Sequence, residues 1–334
     1  MRTLKLDGQS KCRVIEVADP VPGPGQVVIR TRVSALCGSE LSSFRGAGAA
    51  AGNSGHEGMG TVARIGEGVT RVRVGQRVGA SAIAGCGRPE CEACRQGQST
   101  WCSSFKFFGS MHAEQFLTGE TACLPLPDEV PDEVGVLITG DGMGVPYHTS
   151  LKLAGADIRT VAILGLGPIG LGSVLVQAYL GRTVIAVDLA PERLALATRL
   201  GAKLVINAKE QDAVEAIKAA TGGKGADACI EAAGVPQTAK QCFKAVRTAG
   251  LVVFNGEQPT VELSPSNDFI RRDVRAVGSW FFHVGEFPAM LKLYQDGLPV
   301  AQLVTHTFPL ERAQEAFDAF AAGTTGKVLL SYGG

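Results

Sequence analysis

Apolar and polar positions alternate along the first 35 residues of this 334-residue chain. The run at 27–33, Val-Val-Ile-Arg-Thr-Arg-Val, predicts a strand after a turn-forming stretch at 20–25. Short glycine-punctuated strands are expected at 60–66 and 74–78, and no long helical period begins before about Val134. After residue 140 the pattern changes. Apolar strands predicted at 161–164, 183–187, 205–206, 229–230 and 251–254 alternate with helical stretches at 170–180, 191–200, 212–221 and 237–247. That alternation predicts an α/β fold with a doubly wound parallel sheet. Beyond residue 285 the expected order is helix, strand (304–308), helix (310–322) and a last strand (328–332).

Length and charge narrow the class. A chain of this size holds roughly two domains at about 150 residues each. Lys plus Arg and Asp plus Glu are both 32, and residues 1–150 carry 14 basic and 15 acidic side chains, so no half has a field that would draw a polyanion. Nucleic acid and anionic membrane are therefore excluded as expected partners. Residues 160–181 are uncharged and long enough to cross a bilayer, but five glycines and a proline favour strand–turn–helix. The first residues show no apolar export signal, so a cytoplasmic location is expected. There, nine cysteines are more suited to metal ligation or burial than to disulfides.

Three groups of residues carry chemistry. Gly165-Leu166-Gly167-Pro168-Ile169-Gly170 follows a predicted strand and opens a helix, and Asp188 ends the next strand 18 residues after Gly170. Such glycines permit a tight turn and close approach to a pyrophosphate at the helix N-terminus, while the carboxylate binds ribose hydroxyls. NAD is expected over NADP, with Arg193 nearby as the residue that could relax that choice. Cys86, Cys91, Cys94 and Cys102 fall within 17 residues, a set that closes a structural zinc shell. Cys37-Gly38-Ser39-Glu40 and Gly55-His56-Glu57 supply a thiol and an imidazole 19 residues apart, half of a catalytic zinc shell or a buried cysteine and histidine.

Together these motifs, in this order and with the closing Gly326-Lys327-Val328, resemble the zinc-dependent medium-chain dehydrogenase/reductase family across essentially the whole chain. The resemblance implies a GroES-like β-rich catalytic domain (1–150 and 285–334) plus a doubly wound parallel-sheet Rossmann domain (151–284), with the substrate meeting zinc and NAD between them. By position, Cys37 and His56 resemble ligands of a catalytic zinc, distinct from the structural zinc of the cysteine lobe. Ser39 resembles the hydroxyl that takes the alcohol proton, Glu40 the carboxylate that orients the histidine, and Glu57 the acid behind the metal. The third ligand falls on Asp141, six residues before Tyr147, with Glu57 as the alternative and helix capping as the other role for Asp141.

The activity implied is hydride transfer between NAD and a secondary alcohol or ketone, and a carboxylate-containing shell points to a polyol, cyclitol or amino alcohol. A simple alcohol dehydrogenase, a zinc-free reductase of the same superfamily and a non-catalytic NAD- and zinc-binding regulator are the rivals. Phe44, Trp101, Phe105, Tyr147 and Trp280 are candidates to line the substrate site or to fill core. A homodimer or homotetramer is expected, with the apolar stretch 276–282 as either a pairing edge or a core strand.

Overall fold

Val27, Val28 and Ile29 are wholly buried at the centre of the strand Gln26–Ala35, around which a seven-stranded sheet is built. This computed structural model describes residues 1–154 and 157–333. They divide into two compact units, Met1–Gly144 with Phe282–Asp296 and Val300–Gly334, and Val145–Phe281 with Gly297–Pro299.

In the first unit the sheet runs Val304–Pro309, Lys327–Ser331, Gln26–Ala35, Gly58–Ile65, Arg77–Ala80 and Cys123–Pro125, with Gln115–Gly119 also paired to Gln26–Ala35. Gln26–Ala35 is antiparallel to Gly58–Ile65 with Ser34 opposite Gly58, and antiparallel to Lys327–Ser331 with Leu329 opposite Ala35. Cys37 therefore leaves the sheet at the end where His56 and Glu57 enter it and where Lys327 begins the last strand. Backbone bonds from Ala35 N–H to Glu57 O (3.0 Å) and from Leu36 N–H to Val328 O (2.9 Å) carry the ladder to that edge.

The second unit holds a six-stranded, all-parallel sheet in the order Leu204–Asn207, Thr183–Asp188, Thr160–Leu164, Ala226–Glu231, Val246–Phe254, Arg275–Gly278. The helices Pro168–Tyr179, Pro191–Arg199 and Pro236–Ala245 each start on proline, whose fixed φ suits the first turn, and Ala213–Ala220 starts on an Asp212 cap. Gly165 turns the chain with φ +94°. A methyl group at Gly170 would run into the carbonyl oxygen of Gly165, whereas one at Gly167 would meet open space.

Local backbone conformation explains where the expected elements shift. The strand expected from residue 74 begins at Arg77, because Gly75 takes φ +83° in a turn. The stretch 276–282 is not one strand: extension ends at Gly278, Phe281 has φ +52°, and Phe282 is buried in the other unit. A helix not foreseen, Glu40–Arg45, follows Cys37 directly. Phe44 on it is core, 5.0 Å from the Phe317 ring, while Trp101 and Trp280 are exposed. The units divide at 144/145 and 281/282, with Gly297–Pro299 also in the second.

Gly170→Ala should lower unfolding free energy by about 1–3 kcal/mol through overpacking against Gly165. Gly167→Ala should stay within about 0.5 kcal/mol of the parent. Denaturant titration monitored on the two variants in parallel checks the contrast.

Candidate active site and zinc centres

Cys37, His56, Glu57 and Asp141 present ligand atoms all within 4.8 Å of one another at the shared strand edge. His56 Nδ1 lies 2.9 Å from the carbonyl oxygen of Ser54, and its Nε2 lies 3.2 Å from Asp141 Oδ2. A carbonyl only accepts, so the ring proton sits on Nδ1, and the Nε2 lone pair faces a carboxylate. Two lone pairs aimed at each other require a proton or a cation between them. Burial alone would push the His56 pKa down, but the sulfur of Cys37 and the carboxylate of Asp141 hold it well above the ordinary imidazole value. The donor set of sulfur, nitrogen and oxygen suits zinc, whose bonds to them are about 2.0–2.3 Å.

Glu57 is differently engaged. Its Oε1 forms an ion pair with Lys327 Nζ, and its Oε2 accepts the Gly142 N–H at 3.1 Å. Both side chains are essentially inaccessible, and Lys327 Nζ also donates to Leu36 O at 3.3 Å. Burial raises the Glu57 carboxyl pKa, opposed by Lys327 and reinforced by Asp141. Burial would lower the Lys327 pKa, and the charges of Glu57 and Cys37 hold it above the usual value. Glu57 takes the Gly142 N–H in the first turn of the helix Asp141–Lys152, and the Asp141 carboxylate is turned toward His56. The glycines flanking Asp141 clear space for the ion pair: a Cβ at Gly140 would lie 3.0 Å from Glu57 Oε2, and one at Gly142 3.0 Å from Lys327 Cε.

The expectation for Glu40 needs correction. Its buried carboxylate accepts the Cys37 N–H at 2.9 Å through Oε2 and pairs with His112 Nε2, 3.1 Å away, so it fastens the Cys37 loop. The carbonyl of Ser54 orients His56 instead. His112 and Lys327 stand in this site without having been assigned a role from the sequence; their partners lie 72 and 270 residues away, beyond any local pattern. Ser39 is exposed at the start of the helix Glu40–Arg45, and its hydroxyl does not cap it.

In the cysteine lobe the sulfurs of Cys86 and Cys94 are 3.7 Å apart and those of Cys91 and Cys102 3.9 Å. All four lie within 4.8 Å of one another. A tetrahedron with zinc–sulfur bonds of about 2.3 Å has edges of about 3.8 Å, so the sulfurs fit one ion. Gly87 and Gly97, at φ +67° and +70°, make the bends on either side of the short helix Glu92–Arg95.

In the second unit, Asp188 closes the glycine loop by accepting the Leu166 N–H through Oδ2 (2.6 Å), while Oδ1 accepts the N–H groups of Leu189 and Ala190. Gly165 and Gly170 are required by packing, but Gly167 is not, and the open space at its missing Cβ fits a phosphate lying against the loop. Leu166 and Pro168 are buried, whereas Ile169 is half-buried. Arg193 is half-buried as well. Burial lowers its pKa, and Asp188 acts against that.

Residues 23–128 match the family model described as alcohol dehydrogenase GroES-like domain, and residues 168–296 match that of zinc-binding dehydrogenase. An L-threonine 3-dehydrogenase of Mesorhizobium japonicum is 30% identical over 331 residues, covering 95% of this chain and 94% of that protein. The chain belongs to the zinc-dependent medium-chain dehydrogenase family. The solved alcohol dehydrogenase of Thermus sp. ATN1 superposes with TM-score 0.88 at 27% identity, with both chains fully covered. Galactitol-1-phosphate dehydrogenase of Escherichia coli superposes with TM-score 0.85 at 26% identity, covering 99% of this dehydrogenase and 100% of that chain. Among the described residues, no helix of the dehydrogenase is long and apolar enough to cross a membrane.

Lys327→Met should destabilise the first unit by about 3–5 kcal/mol, because it leaves the Glu57 carboxylate buried without its partner. The double variant Lys327→Met/Glu57→Gln should recover part of that loss. Chemical denaturation of both variants checks the coupling.

Proposed function

We propose that this dehydrogenase oxidises a secondary alcohol, or reduces the corresponding ketone, with NAD and a catalytic zinc held by Cys37, His56 and Asp141. The observation that carries the reading is the gathering of Cys37, His56 and Asp141 ligand atoms within 4.8 Å of one another, with His56 Nε2 turned toward the Asp141 carboxylate, a place that a proton or a cation fills. Charge supports the same ligands: a thiolate and a carboxylate balance a dication, while Glu57 is already neutralised by Lys327. Glu57 is thus the acid behind the metal, as its position in the Gly-His-Glu motif suggests. A second, structural zinc belongs to Cys86, Cys91, Cys94 and Cys102.

When bound, zinc supplies Lewis-acid polarisation of the alcohol oxygen, and the nicotinamide of NAD supplies the hydride acceptor. The chain's own residues do the rest. The Oγ of Ser39 takes the hydroxyl proton, and its exposed position lets water or the cofactor ribose carry that proton away, since Ser42 and Ser43 stand where a histidine relay would begin. Glu40 holds the Cys37 backbone, and the Ser54 carbonyl holds the His56 ring. Gly165, Leu166, Gly167, Pro168, Ile169 and Gly170 receive the pyrophosphate at the N-terminus of the helix Pro168–Tyr179, and Asp188 receives the ribose hydroxyls. Its carboxylate places negative charge where NADP carries a phosphate, which favours NAD, with Arg193 as the moderating cation.

The substrate class in this reading is a small polyol, cyclitol or amino alcohol, in keeping with the threonine and galactitol-1-phosphate dehydrogenases among its relatives. Assembly as a homodimer or homotetramer is part of the proposal, supported by the edge position of Arg275–Gly278 in the parallel sheet. So is a cytoplasmic location, where cysteines in such number suit metal ligation or burial better than disulfides.

The purified protein should carry two zinc ions per chain by metal analysis. His56→Ala and Asp141→Asn should each lose one of them and reduce kcat about a hundredfold or more, while still binding NAD. Cys91→Ser should lose the other zinc and fold less stably. Full zinc content and turnover in Asp141→Asn would return that residue to a structural role and make Glu57 the ligand to test.

Cofactor choice is a separate expectation. Asp188→Ser should raise kcat/KM with NADP relative to NAD by about ten- to hundredfold, as the repulsion of the 2′-phosphate disappears. Steady-state kinetics with the two cofactors decides it, and equal use of both by the parent enzyme contradicts the role given to Asp188.

A further inference from the structure

His112 lies at the centre of a dry polar network that none of the roles above uses. Its side chain, with those of Glu40 and Ser34, is wholly buried. Nε2 lies 2.9 Å from Glu40 Oε1 and 3.1 Å from Oε2, and Nδ1 lies 2.8 Å from Ser34 Oγ, which is itself 2.9 Å from the Tyr332 hydroxyl. An ionised carboxylate only accepts, so the proton on Nε2 points at Glu40. Nδ1 and the Tyr332 hydroxyl share Ser34 Oγ between them. The imidazole is thereby held at both ring nitrogens. Burial pushes the Glu40 pKa up, but His112 outweighs it and holds the carboxyl below its ordinary value.

The ring also touches the second ligand segment. A Cβ on Gly55 would lie 2.5 Å from His112 Cδ2, so the residue before His56 must be glycine for the imidazole to occupy its place. Asn53 Oδ1 accepts both the Gly55 N–H (3.1 Å) and the His112 N–H (3.3 Å), tying the two backbones together. The Phe317 ring closes the other side edge-on at 6.2 Å. One residue thus bears on both segments that carry Cys37 and His56.

We propose that His112 is the positioning residue of the Cys37–His56 pair. Its Nε2–H holds the carboxylate that fastens the Cys37 N–H, and its ring edge sets the backbone that presents His56. The inference rests on the reading of Cys37 and His56 as zinc ligands. Outer partners of metal ligands are worth about 10–100-fold in affinity or activity, which sets the size of the effect.

The test compares the parent protein, His112→Phe, Ser34→Ala and His112→Gln by zinc retention against increasing dipicolinate, alongside thermal melting and kinetics. In His112→Phe the chelator midpoint for one of the two zinc ions should fall about 10–100-fold and kcat/KM for the alcohol should fall with it. The cysteine-lobe zinc and the KM for NAD should not change. His112→Gln keeps a donor for Glu40 and should recover most of the midpoint. Ser34→Ala removes the partner of Nδ1, loosens the hold on the ring and should shift the midpoint several-fold, which keeps the proposal testable if His112→Phe does not fold. A lower melting temperature with an unshifted midpoint in His112→Phe, or in Ser34→Ala when that is the only folded variant, would overturn the positioning role. A parent protein whose zinc content is unaffected by His56→Ala would instead overturn the zinc assignment on which it rests.

Discussion

The antiparallel register of Gln26–Ala35 against Gly58–Ile65 is the constraint on which the chemistry depends. With Ser34 opposite Gly58, a sulfur two residues beyond one strand and an imidazole two residues before the other reach the same edge. A slip of one residue would reverse the face of every side chain on the shifted strand and separate the two. The register is held by a continuous apolar run, since Val27, Val28 and Ile29 have nowhere to go but the core. Register shifts between Val28 and Ile29 and between Thr31 and Val33 offset each other, so the pairing at the end of the strand matches that at its start.

Charge is the second organising principle at that edge. Two buried carboxylates, a cysteine and a histidine crowd one small volume, and Lys327 is the permanent cation among them. Its pairing with Glu57 sorts the acids into one that is structurally satisfied and one that is available. The sorting works through backbone as well as charge: Glu57 takes the Gly142 N–H in the first turn of the helix that carries Asp141, while the Asp141 carboxylate faces His56. Neighbouring glycines matter here as absences of bulk beside an ion pair.

Signals confined to short stretches of chain were legible in the sequence. The alternation of strand and helix after residue 140, the glycine loop with Asp188 and the four cysteines all follow from local patterns, and the structure brings each set together. Pairings across long separations were not legible. Nothing near Glu40 signals that its partner is His112, 72 residues on, and the family resemblance assigned it to His56 by position. Lys327 stood inside a recognised motif, but its role depends on a strand pairing formed 270 residues from Glu57. Positive φ at Phe281, a bulky residue, is equally hard to foresee, and it cut short the strand expected at 276–282.

The placement of Lys327–Ser331 in the central sheet bears on how the molecule is made. Synthesis proceeds from the N-terminus, and domains generally fold as units as they emerge. The parallel sheet draws all its strands from 160–278, so its partners are synthesised before the strand Lys327–Ser331. The sheet that bears Cys37 and His56 lacks Lys327, the ammonium partner of Glu57, until that strand has been made and paired. For that interval the Glu57 carboxylate is without its counter-charge. Closing such a distant contact is slow relative to local ones. Pairing of Lys327–Ser331 is then the step that completes the edge where Cys37, His56 and Asp141 meet.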